Sequence, residues 1–426
     1  MHLNSPVDKA VFVEIAGSKS ILNRLLILNS INKQKICLQP GSECEDVLAM
    51  LKALQALGLH YELCKQGKRE IPEIRCLYDK STNTDIVINE AGTVFRFLLT
   101  RLALEEGGVF TLRVGEKLYS RPFLPLIHAL QGLGAEFEFP EDRTIVIRGK
   151  SLNGGRITLP ANISSQFVTS ILLSASLFKS SLEINFTPKY APISSLPYIM
   201  MTLNLLKEFG VNCELVGGTI ICSNNKPVFA TEKLTVEPDY STAPSFWVMG
   251  LLLQREIYVP VPHHESLQGD FAFSNILEKL GFEKNYKEQN EQRYLAFTGE
   301  FQHGLDISMR DMPDQVMNLV LLALFCKTQT IICDIAILRF KESDRIACLM
   351  QELKKIGADI EYLDERLIIT PRELQDRPIE LSSHNDHRLA MILLLLKQVL
   401  PSIIIDNTDC IRKSAPEFLA FFKNYL

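Results

Sequence analysis

Positive charge, hydroxyl groups and carboxylates gather at the places where apolar helices should begin. Gly17-Ser18-Lys19-Ser20-Ile21-Leu22-Asn23-Arg24 links a short apolar strand over 11–15 to an apolar helix over 20–31. Ser18 or Ser20 is placed to cap that helix. Lys19 and Arg24 add charge beside the N–H groups exposed at its start, a combination that draws anions. Before a second helix stands Asn89-Glu90-Ala91-Gly92-Thr93, where Gly92 lets a ligand approach the backbone and Thr93 can cap. Arg121, in Tyr119-Ser120-Arg121-Pro122, suits bidentate binding of carboxylate or phosphate, with Pro122 in the first turn of the next helix. Ser164-Ser165-Gln166 and Ser195-Leu196-Pro197-Tyr198 offer hydroxyls and an amide, the groups that recognise phosphate and sugar hydroxyls.

Later in the chain the chemistry becomes acid–base. Asp314, after Met312-Pro313, lies at or near a helix N-cap. In Arg339-Phe340-Lys341-Glu342-Ser343-Asp344-Arg345, Glu342 sits among cations that can tune it as a proton donor or acceptor. Lys341 and Arg345 can hold an anion there. In His384-Asn385-Asp386-His387-Arg388, two potential cations open an apolar helix. That placement is electrostatically unfavourable unless an anion lies between them. Lys413 adds a further cation near the C-terminus, whereas Glu237-Pro238-Asp239-Tyr240-Ser241-Thr242 reads as capping chemistry only.

These polar helix starts, at Ser20, Thr93, Ser164, Ser241, Asp314 and Asp386, recur at intervals of roughly 72 residues. Between them lies a second family of helices over 46–58, 122–134, 196–210, 271–281 and 345–357. Each ends in a glycine that suits a left-handed cap, and short strand pairs follow. The pattern predicts six copies of a strand-helix-strand-helix-strand-strand unit, three to a domain. The domains are 17–232 and 1–16 plus 233–426, with the helix starts converging on an interdomain cleft.

With 426 residues, 46% hydrophobic and 22% charged, the chain has a globular composition and room for two cores. A net charge of −5 argues against a nucleic-acid surface, so any anion must be drawn by local charge. No apolar run reaches the roughly 18 residues of a membrane span. The opening residues 1–6 show no signal-peptide pattern, so a cytoplasmic protein is expected. The cysteines are scattered without CxxC spacing, which predicts free thiols and neither a zinc site nor a disulfide framework.

In combination, GSKSxxNR, AGTxxxR, SSQF, the Pro313–Asp314 pair, RxKESDR and NDHRxAM closely resemble the 5-enolpyruvylshikimate-3-phosphate synthase family, in order from about residue 17 to 420. The resemblance implies an α/β (α+β) fold of two globular domains, each of three βαβαββ units, the inverse α/β barrel-like fold of enolpyruvyl transferases. It implies transfer of the enolpyruvyl group of phosphoenolpyruvate to the 5-hydroxyl of shikimate 3-phosphate, releasing phosphate, on the route to chorismate and aromatic amino acids. Catalytic roles fall to Lys19, Asp314, Glu342 and His387. Shikimate 3-phosphate is assigned to Lys19, Ser20, Arg24, Ser164, Ser165, Gln166, Ser195, Tyr198, Asp314 and Lys341. Phosphoenolpyruvate is assigned to Lys19, Gly92, Arg121, Gln166, Arg345, Arg388 and Lys413. No cofactor, metal, nucleic acid or membrane is implied, and a monomer is expected.

The chain departs from the family pattern at Glu90, where asparagine is common, at Phe97, where proline is common, and at Ile337, where some members carry an asparagine. Two other readings are open. The sister transferase that uses UDP-N-acetylglucosamine usually carries a loop cysteine before its Arg-Pro pair, and the stretch Gly115-Glu116-Lys117-Leu118-Tyr119-Ser120-Arg121 has none. A non-catalytic anion-binding relative draws on Glu90 and Ile337, against the intact Lys19, Asp314, Glu342, His387 and Arg388 set.

Overall fold

In the repeat built around the apolar helix Val316–Ala323, strand Asp306–Ser308 pairs in parallel with Thr330–Cys333. That strand pairs antiparallel with Arg366–Thr370, and the hairpin partner Asp359–Leu363 closes the sheet. The same four-stranded order recurs in four further sheets of this computed structural model. The structure describes residues 10–65, 71–79, 84–161, 163–189 and 192–425. The opening residues of the chain, on which the signal-peptide expectation rests, lie outside these.

The six-copy expectation holds for five sheets and is corrected in the sixth. There Glu380–Leu381 pairs in parallel with Ile404–Ile405, and the C-terminal helix Pro416–Tyr425 follows where a hairpin was expected. Two repeats also exchange their leading strands. Val11–Phe12 precedes helix Lys19–Asn32 but pairs with Ile257–Val261. Lys233–Thr235 precedes helix Pro244–Leu253 but pairs with Ile36–Gln39. The chain accordingly divides into two compact units, Gly17–Glu237 and Met1–Ala16 with Pro238–Leu426. The boundary expected at 232/233 moves to 237/238, because Lys233–Thr235 is an edge strand of the first unit. At the other crossing a Cβ on Gly17 would lie 2.1 Å from the carbonyl oxygen of Pro40, so no side chain fits there.

The second helix family ends largely as the glycines predict, with left-handed Gly58 (φ 92) and Gly357 (φ 84). Several caps differ. Ser18 is the N-cap of Lys19–Asn32 but accepts no capping bond through its side chain. Thr93 lies inside helix Gly92–Ala103, and Pro122 precedes Leu124–Gly132 rather than opening it. Ser164, Asp344 and Asp386 do cap, accepting from the N–H groups of Gln166, Ala347 and Arg388. Cys213 and Cys222 are disulfide-bonded, correcting the expectation of free thiols throughout. They stand directly opposite on adjacent antiparallel strands, a pairing that a sequence separation of 9 did not reveal.

The core of the second unit is continuous from the helix Pro244–Leu253 to the C-terminal helix and includes Phe246, Trp247 and Phe418. Trp247 donates its indole N–H to Leu295 O at 2.8 Å, so the largest apolar side chain is buried without an unsatisfied donor. Among the described residues no helix is long and apolar enough to cross a membrane.

Glu417, in the first turn of Pro416–Tyr425, has both carboxyl oxygens buried. Burial, reinforced by nearby Asp239, pushes its carboxyl up to about 8. Between the ordinary carboxylate range and that value, the folded protein holds a proton the unfolded chain has lost. Stability therefore falls as pH rises through this window. Glu417→Gln removes the penalty: its melting temperature should match the parent near pH 5 and exceed it at pH 8. Identical melting curves at both pH values would contradict this assignment.

Candidate active site

In the first unit, Lys19 opens its helix and donates to Asp46 Oδ2 at 2.9 Å. One turn later Arg24, 3% exposed, is held by neutral oxygens. Its Nε donates to Thr202 Oγ1 (2.9 Å), its Nη2 to Tyr198 O (3.0 Å) and its Nη1 to Ser20 O (2.8 Å). Phe97 lies under the guanidinium with its ring centroid 5.7 Å away, which gives the departure from proline a physical role. Burial lowers the Arg24 pKa to about 10. A buried cation bonded to neutral acceptors is costly, and an anion brought to this place would offset that cost. Tyr198 lies in helix Leu196–Glu208, whose N-cap Ser195 is buried with φ 56.

A second assembly in this unit is organised by Arg96, to which the sequence reading assigned no role. Its Nη1 donates to Gln166 Oε1 (2.6 Å), and its Nε and Nη2 both reach Pro122 O (3.2 and 2.8 Å). Gln166 in turn donates from Nε2 to Thr93 Oγ1 (3.1 Å) and from its backbone to Ser164 Oγ (3.2 Å). Ser165 is the first residue of that helix, Ser165–Leu173. A Cβ on Gly92 would come within 2.9 Å of Arg96 Nη1 and 3.1 Å of Arg121 Nη1, so the glycine lies against two guanidinium groups. Gly92, Arg121, Gln166 and Ser164 are thus brought together around Arg96. The four-residue spacing from Gly92 to Arg96, one helical turn, was the available signal. Glu90 is exposed.

In the second unit the residues form one ion-pair network around Arg345, 1% exposed at the start of helix Arg345–Lys355. Its Nε donates to Asp386 Oδ2 (2.8 Å), its Nη1 to Asp314 Oδ1 (2.9 Å) and its Nη2 to Glu342 Oε2 (3.1 Å). Lys341 Nζ lies 3.1 Å from Asp314 Oδ1, and Lys413 donates to Glu342 Oε1 at 3.0 Å. Asp314 therefore does not cap a helix as expected. It lies in the helical turn Pro313–Gln315, and its carboxylate is committed to two cations. Burial pushes its carboxyl up, but Lys341, Arg345 and Arg388 together outweigh that and hold it well below the usual range. The three carboxylates drive the Arg345 pKa upward against its burial.

Asp386, fully buried, places a carboxylate at the start of the helix that carries His387 and Arg388. It caps the helix through the Arg388 N–H (2.9 Å) while gripping Arg345. His387 Nδ1 lies 4.0 Å from Asp386 Oδ1, and the Arg388 guanidinium donates to Ser241 O. Ile337 lies in the helical turn Ala336–Phe340 just before Lys341. Glu342, Asp386 and His387 each offer a ligating atom within 4.8 Å of one another. Arg345 Nη2 donates to a carboxylate oxygen of each acid, Glu342 Oε2 at 3.1 Å and Asp386 Oδ1 at 3.2 Å. Asp46, Arg96 and Asp386 are the partners that sequence reasoning did not assign.

The fold is shared with solved structures of enolpyruvyl transferases. An EPSP synthase from Acinetobacter baumannii matches with a TM-score of 0.74 at 21% identity, covering 98% of this chain and 96% of that one. The enolpyruvyl transferase NikO from Streptomyces tendae matches with 0.71 at 15% identity, covering 96% and 92%. Residues 4–421 match the family model of EPSP synthase (3-phosphoshikimate 1-carboxyvinyltransferase). A relative bearing the name 3-phosphoshikimate 1-carboxyvinyltransferase, from Buchnera aphidicola subsp. Acyrthosiphon pisum (strain 5A), is 34% identical over 417 residues, 97% of this chain and 95% of its own. One from Shewanella sp. (strain W3-18-1) bears the same name and is 31% identical over 422 residues, 96% and 95% of the two chains. The chain belongs to the EPSP synthase family.

Proposed function

We propose that the protein transfers the enolpyruvyl group of phosphoenolpyruvate to the 5-hydroxyl of shikimate 3-phosphate and releases phosphate. The observation that carries this reading is the Arg345 network, in which each candidate proton-transfer carboxylate is clasped by a candidate anion-binding cation. The acceptor hydroxyl adds to C2 of phosphoenolpyruvate, its proton leaving to a base while a proton is delivered to C3. The same proton movements at C3 reverse as phosphate departs from C2 and the double bond re-forms. Asp314 serves the hydroxyl, Glu342 serves C3, and Lys19 and His387 assist.

Clasped by Lys341 and Arg345, Asp314 is a weak base. When the phosphate and carboxylate of phosphoenolpyruvate engage Arg345, Arg388 and Lys413, those cations are partly neutralised and both carboxylates become more basic. Binding then prepares the base for the step that follows. Lys19, Gly92, Arg121 and Gln166 complete the phosphoenolpyruvate set. Ser20, Arg24, Ser164, Ser165, Ser195, Tyr198 and Lys341 join Lys19, Gln166 and Asp314 in holding shikimate 3-phosphate, with Arg24 offering a buried cation bonded, among the described residues, to neutral oxygens. The same reading takes the protein as a cytoplasmic monomer that needs no cofactor.

Competition between acceptors tests the substrate. With phosphoenolpyruvate present, shikimate 3-phosphate should gain the enolpyruvyl mass and UDP-N-acetylglucosamine should remain unchanged; modification of the nucleotide sugar would reverse the assignment. Gly92→Ala provides a local test, because its methyl group presses on the movable ends of Arg96 and Arg121. The KM for phosphoenolpyruvate should rise about tenfold, as expected for small misplacement of binding groups. Affinity for shikimate 3-phosphate should hold. An unchanged KM would remove Gly92 and Arg121 from the phosphoenolpyruvate set.

A further inference from the structure

Helix Arg345–Lys355 carries a second buried charge that the proposed chemistry does not use. Glu352 lies seven residues after Arg345, two helical turns along the same face, and is fully buried. Its Oε2 accepts from the Ser382 N–H (2.8 Å) and from Lys355 Nζ (2.6 Å), and its Oε1 lies 3.0 Å from His384 Nε2. Burial raises the Glu352 carboxyl, but Lys355, the Ser382 N–H and His384 outweigh it and keep the group ionised. A buried carboxylate is costly to maintain, and an apolar residue would fill a helix–loop contact more cheaply.

The segment it grips has an unusual backbone. His384 (φ 51) and Asn385 (φ 55) are consecutive non-glycine residues in the left-handed region, immediately before Asp386. Such a conformation persists only where surrounding contacts hold it. The contacts here are Glu352 on Ser382 and His384, Asp406 accepting from Ser382 Oγ (2.6 Å) and the Ser383 N–H (2.8 Å), and Asn407 Nδ2 donating to Asn385 Oδ1 (2.7 Å). From this turn emerge Asp386, which grips Arg345, and then His387 and Arg388.

We propose that Glu352 is a positioning residue: through Ser382 and His384 it holds the left-handed turn that aims Asp386, His387 and Arg388. One helix face then clamps the loop at two points, Arg345 on Asp386 and Glu352 on the turn before it. The consequence for catalysis rests on the function proposed above.

Glu352→Gln preserves size and an acceptor for the Ser382 N–H but removes the charge that fixes Lys355 and His384. It should raise the KM for phosphoenolpyruvate about tenfold or more, the scale of a small displacement of binding groups, with shikimate 3-phosphate affinity retained. A second series at the partly exposed His384 guards against a folding defect. His384→Gly, which loses the contact to Glu352 but accepts positive φ without strain, should raise the KM less than His384→Val, which loses the contact and keeps the strain. Combining Glu352→Gln with His384→Gly should restore part of the loss. An unchanged phosphoenolpyruvate KM in Glu352→Gln, or equal losses in His384→Gly and His384→Val, would overturn the proposal. A parent protein inactive with these substrates would sink the function reading alone. NMR signals of the His387 imidazole would then still decide the positioning, since they should move in Glu352→Gln and return in the double variant; signals that stay fixed would refute it.

Discussion

Glu342→Ala and Asp314→Ala are each expected to lower kcat by about two to four orders of magnitude, the usual contribution of a positioned acid or base. Substrate binding should survive. Removing Glu342 releases Lys413 and one of the four hydrogen bonds that Arg345 makes to its three carboxylates, leaving cations more available to phosphoenolpyruvate. Its KM should therefore hold or fall while kcat collapses; an unchanged KM is the pattern of an interaction lost only in the transition state, and a lower one shows that the bound ground state has been eased. Asp314→Ala likewise leaves Arg345 anchored to Asp386, and it removes one proposed contact to shikimate 3-phosphate while keeping those proposed in the first unit, so turnover should fall far more than affinity. Steady-state kinetics together with direct titration of each ligand separates the two effects. A parallel loss of binding and rate would contradict the assigned proton-transfer roles.

Arg345→Ala should damage the fold as well as the reaction. One guanidinium bonds Asp386, Asp314 and Glu342 using all three of its nitrogens, with Nη2 shared by Glu342 and Asp386, and Asp386 is fully buried. Deleting one partner of a buried ionic network typically costs about 3–5 kcal/mol. For a unit of this size, that corresponds to a fall in melting temperature of roughly 6–20 °C. Arg345→Lys should recover little, because an ammonium is a point charge and cannot reproduce four diverging bonds to three carboxylates. Thermal unfolding of both variants checks this, and a lysine variant that melts with the parent would show that the forked geometry is not what stabilises the network.

The repeat was legible because its helices bring their own punctuation. Glycines such as Gly58 and Gly357 mark the ends of one helix family, and polar residues mark the starts of the other. The exchange of Val11–Phe12 and Lys233–Thr235 between sheets was not legible in full. Strands of two or three residues carry no alternation, and their partners lie far along the chain. The Cys213–Cys222 bond depends on hairpin register, which composition does not encode. At the site, charged residues out of place at a helix start singled out His387 and Arg388, and their neighbour Asp386 caps that helix with a carboxylate. Asp314 shows the limit of such reasoning: its sequence position reads as a cap, whereas Arg345 and Lys341, both distant in sequence, take its carboxylate for an ion pair. The same non-locality hid Asp46 behind Lys19 and Thr202 beside Arg24.

Phosphate release by the purified protein, measured with shikimate 3-phosphate and phosphoenolpyruvate together and with each omitted in turn, tests enolpyruvyl transfer most directly. Release that requires both substrates, accompanied by one enolpyruvyl adduct of shikimate 3-phosphate per phosphate, is the predicted result. Binding of either substrate without release, or release from phosphoenolpyruvate alone, would contradict it.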